Sequence, residues 1–285
     1  MTGAWVVARY TVRECVRRRV FVVVPVATVA FVSLYAVGNH YAFQSASGTT
    51  VGPGGLVDVR ALAGATLVGL AMFVGLFLGS ALGIFLTFAS VRGDAETGLL
   101  QQLVVRPVAR SGLLVGRVAG ASAVAGAFVA FLYATAVAVT ATIGGWTPDP
   151  LVLPGLHLVG AVVVVVALSV LGSIYLTALP NGIAMFMLYG AGLLGGLLGQ
   201  LGEVLGSETL ESVGRGTSWA LPFEALYQAG LDALTSDATG LTRVVVRLGP
   251  LGGAEAGGAA LWAWAAGYVV VVGGIALAAF ARRDL

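Results

Sequence analysis

The chain has 285 residues, of which 58% are hydrophobic and only 10% charged, with a mean hydropathy of +0.97. Soluble domains carry about 25% charged residues, so composition excludes an ordinary water-soluble globule. All fifteen basic residues are Arg, and the net charge is +2; a Walker A loop needs a Lys to reach the β/γ-phosphates, so the chain cannot be a P-loop ATPase by itself.

Residues 2–19 read as an amphipathic helix, with Trp5, Ala8, Val12, Cys15 and Val16 on one stripe and Arg9, Arg13 and Arg17 on an adjacent basic one. Such a helix lies in the headgroup layer with its Arg toward lipid phosphates, which makes Trp5, Arg9, Arg13 and Arg17 the expected membrane-surface residues. Cys15 is the single cysteine, so no internal disulfide forms. A span needs roughly 20 apolar residues, and six runs qualify, at 20–38, 61–89, 112–143, 154–179, 183–206 and 258–281. The first is longer than a signal peptide's apolar core and its Arg cluster sits far from Met1, so it reads as an uncleaved span. Pro25 predicts a kink in it.

The segment 39–60 reads as an outer loop rich in Gly, Ser and Thr. Span two carries Gly75, Gly79 and Gly83 at intervals of four, and span three opens with Gly112, Gly116 and Gly120 at the same interval. Each row clears one helical face for close approach by a neighbour; the pairs Gly192/Gly196 and Gly195/Gly199 in span five are a weaker form of the same signal.

Between spans two and three stands a polar stretch, 90–111, holding Asp94, Glu96, Arg106 and Arg110. Asp94 and Glu96 suit the N-terminus of a short helix through its dipole. Leu99, Leu100, Leu103 and Val104 give that helix an apolar face, and Pro107 stops it. A short helix of this kind resembles a peg for a groove in another protein. By contrast, spans four and five are joined only by a turn signal, Leu179-Pro-Asn-Gly182.

The largest outer segment is 204–257. Within it, 219–234 is amphipathic: Phe223, Leu226, Tyr227, Gly230 and Leu234 share a face, and Glu224, Gln228 and Asp232 point elsewhere. This reads as a short helix lying at, or dipping into, the outer leaflet, or an ordinary loop helix. With the N-terminus inside, eleven Arg fall on the cytoplasmic side and four, Arg60, Arg215, Arg243 and Arg247, outside. The positive-inside rule therefore places both termini in the cytoplasm.

Catalytic groups are missing from the expected spans. No Asp or Glu lies centrally in any of them, as ion or proton carriers require. Of the two histidines, His40 and His157, neither belongs to a zinc motif. His157 reads as an interfacial hydrogen-bonding residue. Metal, cofactor and catalytic residues are therefore not expected in this chain, and energy for work has to enter from outside it.

At the polar stretch a family comes into view. Glu96-Thr-Gly98-Leu-Leu-Gln-Gln-Leu103, then Val105-Arg-Pro-Val-Ala-Arg110, then Leu113-Leu-Val-Gly116-Arg117 resembles the first cytoplasmic loop of ABC-2 type transporter permeases. The sequence departs from that pattern around Thr97-Gly98-Leu99, at Ala109 where Ser is usual, and at Arg117 where Lys is common. The resemblance continues in Ala8-Arg-Tyr-Thr-Val-Arg-Glu14 with Arg17-Arg18, in the six spans and in the ending Phe280-Ala-Arg-Arg-Asp-Leu285. The ending and the size look most like the NosY-like branch, associated with nitrous oxide reductase maturation.

The resemblance implies a single all-α integral membrane domain over 1–285: an N-terminal elbow helix, six transmembrane helices, and short outer re-entrant helices around Leu221 to Leu234. It implies that Asp94, Glu96, Gly98, Leu103, Arg106, Pro107 and Arg110 form or flank a coupling helix for a separate ATPase. That subunit, and not this chain, would bind ATP and Mg. Expected partners are ABC ATPase subunits, a second copy or a homologous permease, and membrane lipid, with no nucleic acid. The implied role is the permease subunit of an ATP-driven exporter in a prokaryotic cell membrane. The alternative is an assembly factor that passes motion to an extracytoplasmic protein.

Overall fold

Uncharged runs of Ala, Val, Leu and Gly leave the backbone to satisfy its own hydrogen bonds, and a helix does so within one segment. The structure, a computed structural model, describes residues 20–45, 50–51, 57–87, 110–234 and 257–282. Helix α1 (Val20–Ser45) leads to a two-residue antiparallel pairing of β1 (Thr50–Val51) with β2 (Val57–Asp58), and then to α2 (Val59–Thr87). Next come α3 (Arg110–Gly144), α4 (Leu153–Tyr175) and α5 (Ala178–Leu205). Two short helices follow, α6 (Glu208–Ala220) and α7 (Pro222–Leu234), before α8 (Ala259–Ala281). Six of these, α1 to α5 and α8, are long and apolar enough to cross a membrane, and each overlaps one of the expected spans. This is the make-up of a multi-pass membrane protein.

Three boundaries differ from the sequence reading. The first helix continues to Ser45 instead of ending near residue 38. Its polar end is satisfied locally: buried Asn39 donates Nδ2–H to the Tyr35 carbonyl at 2.9 Å, and the Ser45 hydroxyl donates to the Tyr41 carbonyl at 3.1 Å. The turn between spans four and five is not Leu179–Gly182 but Leu176–Thr177, and Leu179–Gly182 belongs to the start of α5. Pro180 is tolerated there because the first-turn N–H groups have no intrahelical acceptor to lose. Asn181 is fully buried and donates Nδ2–H to the Ser169 carbonyl of α4 at 3.0 Å, tying the two helices at that corner. Third, the described residues after span five form two helices, α6 and α7, where the amphipathic pattern suggested one.

Helix α4 sits at the centre. Its Leu158, Val162, Val165 and Val166 pack with Val68, Met72 and Leu76 of α2, with Ala121, Ala125 and Val129 of α3, and with Phe223, Leu226 and Tyr227 of α7. At the other end of α4, Val170 and Ile174 meet Leu113 and Leu114 of α3 and Ala276 and Phe280 of α8. Helix α1 joins through Tyr35, packed on Ala71 and Ala136, with its hydroxyl 2.7 Å from the Thr140 hydroxyl. The remaining faces of α1, α5 and α8 present large apolar side chains outward, among them Val29, Leu34, Met187, Leu194 and Val270.

Glycines set the spacing between α2 and its neighbours. A side chain on Gly75 would stand 3.1 Å from Leu132 of α3; on Gly79 it would overlap Val129, and on Gly83 it would come within 2.6 Å of Val166 of α4. In span three, Gly116 and Gly120 are buried and Gly112 is half-buried. Near the end of α2 the Thr87 and Ser169 hydroxyls lie 2.8 Å apart, a polar pair between α2 and α4.

These contacts make a measurable distinction among glycines. Gly79→Ala forces Val129 to move, and overpacking of this kind costs about 1–3 kcal/mol. Gly190→Ala meets open space and gains about 1 kcal/mol of helix propensity. Thermal unfolding of the purified protein, followed by circular dichroism, is expected to show a lower Tm for Gly79→Ala and an unchanged or higher one for Gly190→Ala.

Candidate functional site

Most residues expected to work at the membrane surface or the ATPase contact lie outside the described residues: Trp5, Arg9, Arg13 and Arg17, and Asp94, Glu96, Gly98, Leu103, Arg106 and Pro107. Arg110 is the first residue of α3. The site that the structure does assemble is at the opposite end of α3, where α5, α6, α7 and α8 meet.

Its construction begins with a tight turn. Gly206 closes α5 in the left-handed conformation (φ 64°), which a glycine adopts without a Cβ penalty. Helix α6 then runs back along α5, and the register is visible in the contacts. A side chain on Gly202 would strike the Glu211 backbone at 2.5 Å. One on Gly199 would stand 3.2 Å from the Gly214 Cα, and one on Gly195 would overlap Thr217. The closest point is Gly199 against Gly214, backbone on backbone, so neither position accepts a side chain without displacement. Helix α6 carries Glu208 and Glu211 in its first turn, where carboxylates oppose the positive end of the dipole.

The chain reverses again at Leu221–Pro222, and α7 returns along α4. Phe223 fills the space left by Gly192 and stacks on Tyr189 with ring centroids 5.6 Å apart and planes 9° from parallel. Leu226 faces Gly160, and Gly230 lets Met72 and His157 approach to 2.9 and 3.3 Å of where its Cβ would stand. The expected amphipathic face is real in sequence, but two of the three polar residues opposite it are buried, and Asp232 is half-buried. Glu224 is 1% exposed and Gln228 6%.

Those two residues form a pair. Gln228 Nε2–H donates to Glu224 Oε1 at 2.6 Å, and the Ser218 hydroxyl donates to Glu224 Oε2 at 3.1 Å. Gly196 makes the room, since its side chain would occupy the position of the Glu224 carboxylate. Gln228 Oε1, equally buried, has no hydrogen-bond partner among the described residues. Both groups line a cavity of about 380 Å³. From α5 the cavity takes Gln200 and Glu203; from α6 it takes Glu211, Arg215 and Trp219. Helix α8 supplies Leu261 and Trp264, and the Trp219 and Trp264 rings meet edge to face at 5.1 Å.

His157, read from sequence as an interfacial hydrogen-bonding residue, lies in the first turns of α4, buried beside α8. Its Nδ1 lies 2.9 Å from the Leu153 carbonyl, which can only accept, so Nδ1 carries the proton. The ring sits 5.0 Å from that of Trp262. Sequence reasoning did not single out Gly202, Gly214 or the Glu224–Gln228 pair as a site. The available signals were the run of glycines at 192, 195, 196, 199 and 202 along one side of α5, and a Glu and a Gln four apart inside an otherwise apolar helix.

Compared with known proteins, the chain matches no protein-family model and no curated protein.

The Gly199–Gly214 contact controls whether α6 stays folded against α5. Gly214→Ala is expected to speed tryptic cleavage at Arg215 by about tenfold, because about 1–3 kcal/mol of overpacking raises the opened population that a protease cuts. Gly216→Ala, which meets open space, leaves the cleavage rate near that of the parent.

Proposed function

We propose that this chain is the transmembrane subunit of an ATP-driven ABC-2 type exporter, coupled to a separate ATPase through the segment 90–111. The observation that carries the reading is the pair α6–α7 between spans five and six, folded back into the helical body, together with six membrane-capable helices. Phe223 lies against Gly192, which is 13 residues from the Leu205 end of α5, or about 20 Å along the axis. With α5 across a hydrocarbon layer about 30 Å thick, the α6–α7 corner sits near mid-depth and the pair is re-entrant from the outer side. That is the arrangement the family resemblance implies. The apolar outward faces of α1, α5 and α8 suit lipid or a second copy. The Arg distribution supports cytoplasmic termini.

In this reading ATP and Mg belong to the partner, and the chain itself performs no covalent chemistry. Motion enters at the coupling segment, passes into α2 and α3, and is carried across the glycine contacts of Gly75, Gly79 and Gly83 to α4. Helix α4 packs directly on α7, so a displacement at the inner end has a physical route to the outer hairpin.

The test is co-expression with a candidate ATP-binding-cassette ATPase partner. Arg110→Glu and Leu103→Asp are expected to insert normally, yet to lower the ATPase activity stimulated by the complex by about tenfold, through loss of a docking contact of hot-spot strength. Normal coupling in both variants, or transport by this chain without nucleotide, overturns the proposal. A complex that hydrolyses ATP and moves nothing, while holding an extracytoplasmic protein through 204–257, selects the assembly-factor reading.

A further inference from the structure

We propose that Asn181 is the pivot of a lever, on which α5 and the α6 packed along it turn as one piece against the body formed by α2, α3 and α4. Three polar side chains meet at that corner. Asn181 is fully buried, and its Nδ2–H donates to the Ser169 carbonyl of α4 at 3.0 Å. Gly172 makes the room, since a side chain there would overlap the Asn181 amide. The Ser169 hydroxyl lies 2.8 Å from that of Thr87, which is itself 2.7 Å from the Gly83 carbonyl. Thr87 is the last described residue of α2, and Thr87, Ser169 and Asn181 are each exposed by 1% or less. A chain of polar contacts therefore joins the end of α2 to the start of α5 through α4. In an apolar surrounding no water competes for these bonds, so they hold one point of α5 in place. A helix held at one point tilts more readily than it shifts.

There is room for the tilt. Among the described residues, Phe85 of α2 meets Phe186 of α5 edge-on, with ring centroids 6.2 Å apart. Beside that contact, Leu179, Gly182 and Ile183 border a groove of about 470 Å³. A side chain on Gly182 would meet nothing within 4 Å. Close-packed side chains resist a moving helix, and here they are missing. Farther along, α5 is bound to the helix that follows it. The contacts of Gly195 with Thr217, Gly199 with Gly214 and Gly202 with Glu211 leave no space between α5 and α6, so α6 goes where α5 goes. Asn181 to Gly199 is about 27 Å at 1.5 Å per residue, and a tilt of about 10° carries α6 through about 5 Å. The pivot rests on the exporter reading for its purpose. It gives the end of α2, where the segment 88–109 begins, a route to the α6–α7 hairpin besides the one through α4 and α7.

Distances between spin labels, measured by double electron–electron resonance on the full chain in nanodiscs, test the pivot without any ATPase. Cys15→Ser removes the native thiol, and labels go on exposed positions, as Val37→Cys in α1, Leu156→Cys in α4 and Val213→Cys in α6. In Asn181→Leu the 37–213 distance distribution is expected to widen by about 5 Å, while the 37–156 distribution stays parental. Loss of stability alone loosens both pairs alike. Gly182→Phe, which fills the groove, is expected to narrow the 37–213 distribution, and it decides the matter should Asn181→Leu fold poorly. A 37–213 distribution that Gly182→Phe leaves at parental width, or that Asn181→Leu widens no more than the 37–156 one, overturns the proposal. The two readings fail separately. Parental distributions beside lost ATPase coupling in Arg110→Glu remove the pivot and keep the exporter; the expected distributions beside normal coupling in Arg110→Glu and Leu103→Asp do the reverse.

Discussion

The end of this protein where α5, α6, α7 and α8 meet depends on one contact, the passage of Gly199 against Gly214. Two helix backbones meet there with no side chain between them. In an apolar surrounding there is little hydrophobic drive for helices to associate, and close van der Waals packing takes its place. The glycines at 195, 199 and 202 extend the seam along α5. Once α6 is held there, the corner at Leu221–Pro222 has one place to be, and α7 is delivered between α2, α4, α5 and α8.

That delivery explains why a helix with Glu224 and Gln228 on it can be buried at all. An isolated carboxylate inside an apolar body is strongly disfavoured. Here it receives hydrogen bonds from Ser218 of α6 and from Gln228, one turn along α7. Elsewhere three buried polar pairs close across helix boundaries: Tyr35 on Thr140, Thr87 on Ser169, Asn181 on the Ser169 carbonyl. Each such pair fixes the register between two helices, which smooth Ala, Val and Leu surfaces alone would leave free to slide.

Helix α4 links the two ends. Its N-terminal half carries Pro154, His157 and Leu158 against α7 and α8, and its C-terminal half carries Val170 and Ile174 against α3 and α8. A body built around a single central helix transmits a displacement, because close-packed side chains have little room to absorb it. The row Gly75, Gly79 and Gly83 places α2 directly on this axis.

Much of the architecture was legible in the chain itself. Length and apolarity over about 20 residues decide a membrane-capable helix one segment at a time, so all six were found, and most boundaries lie within a few residues. Where the reading slipped, a local signal had a non-local answer. Pro180 and Asn181 look like a turn in isolation, yet the first turn of α5 tolerates the proline and Ser169 takes the Asn181 side chain. Asn39 looks like loop, yet its side chain bonds within its own helix. The segments 1–19 and 88–109, where the sequence suggested an elbow helix and a coupling helix, lie outside the described residues, so that reading rests on sequence alone. Only the tertiary structure decided that the glycines of span five face Gly214, and that Glu224 and Gln228 turn inward to a cavity. A glycine row marks where a neighbour can come close, but which helix arrives depends on chain reversals far along the sequence. The environment of a polar residue is likewise set by what packs around it, and that information resides in no single helix.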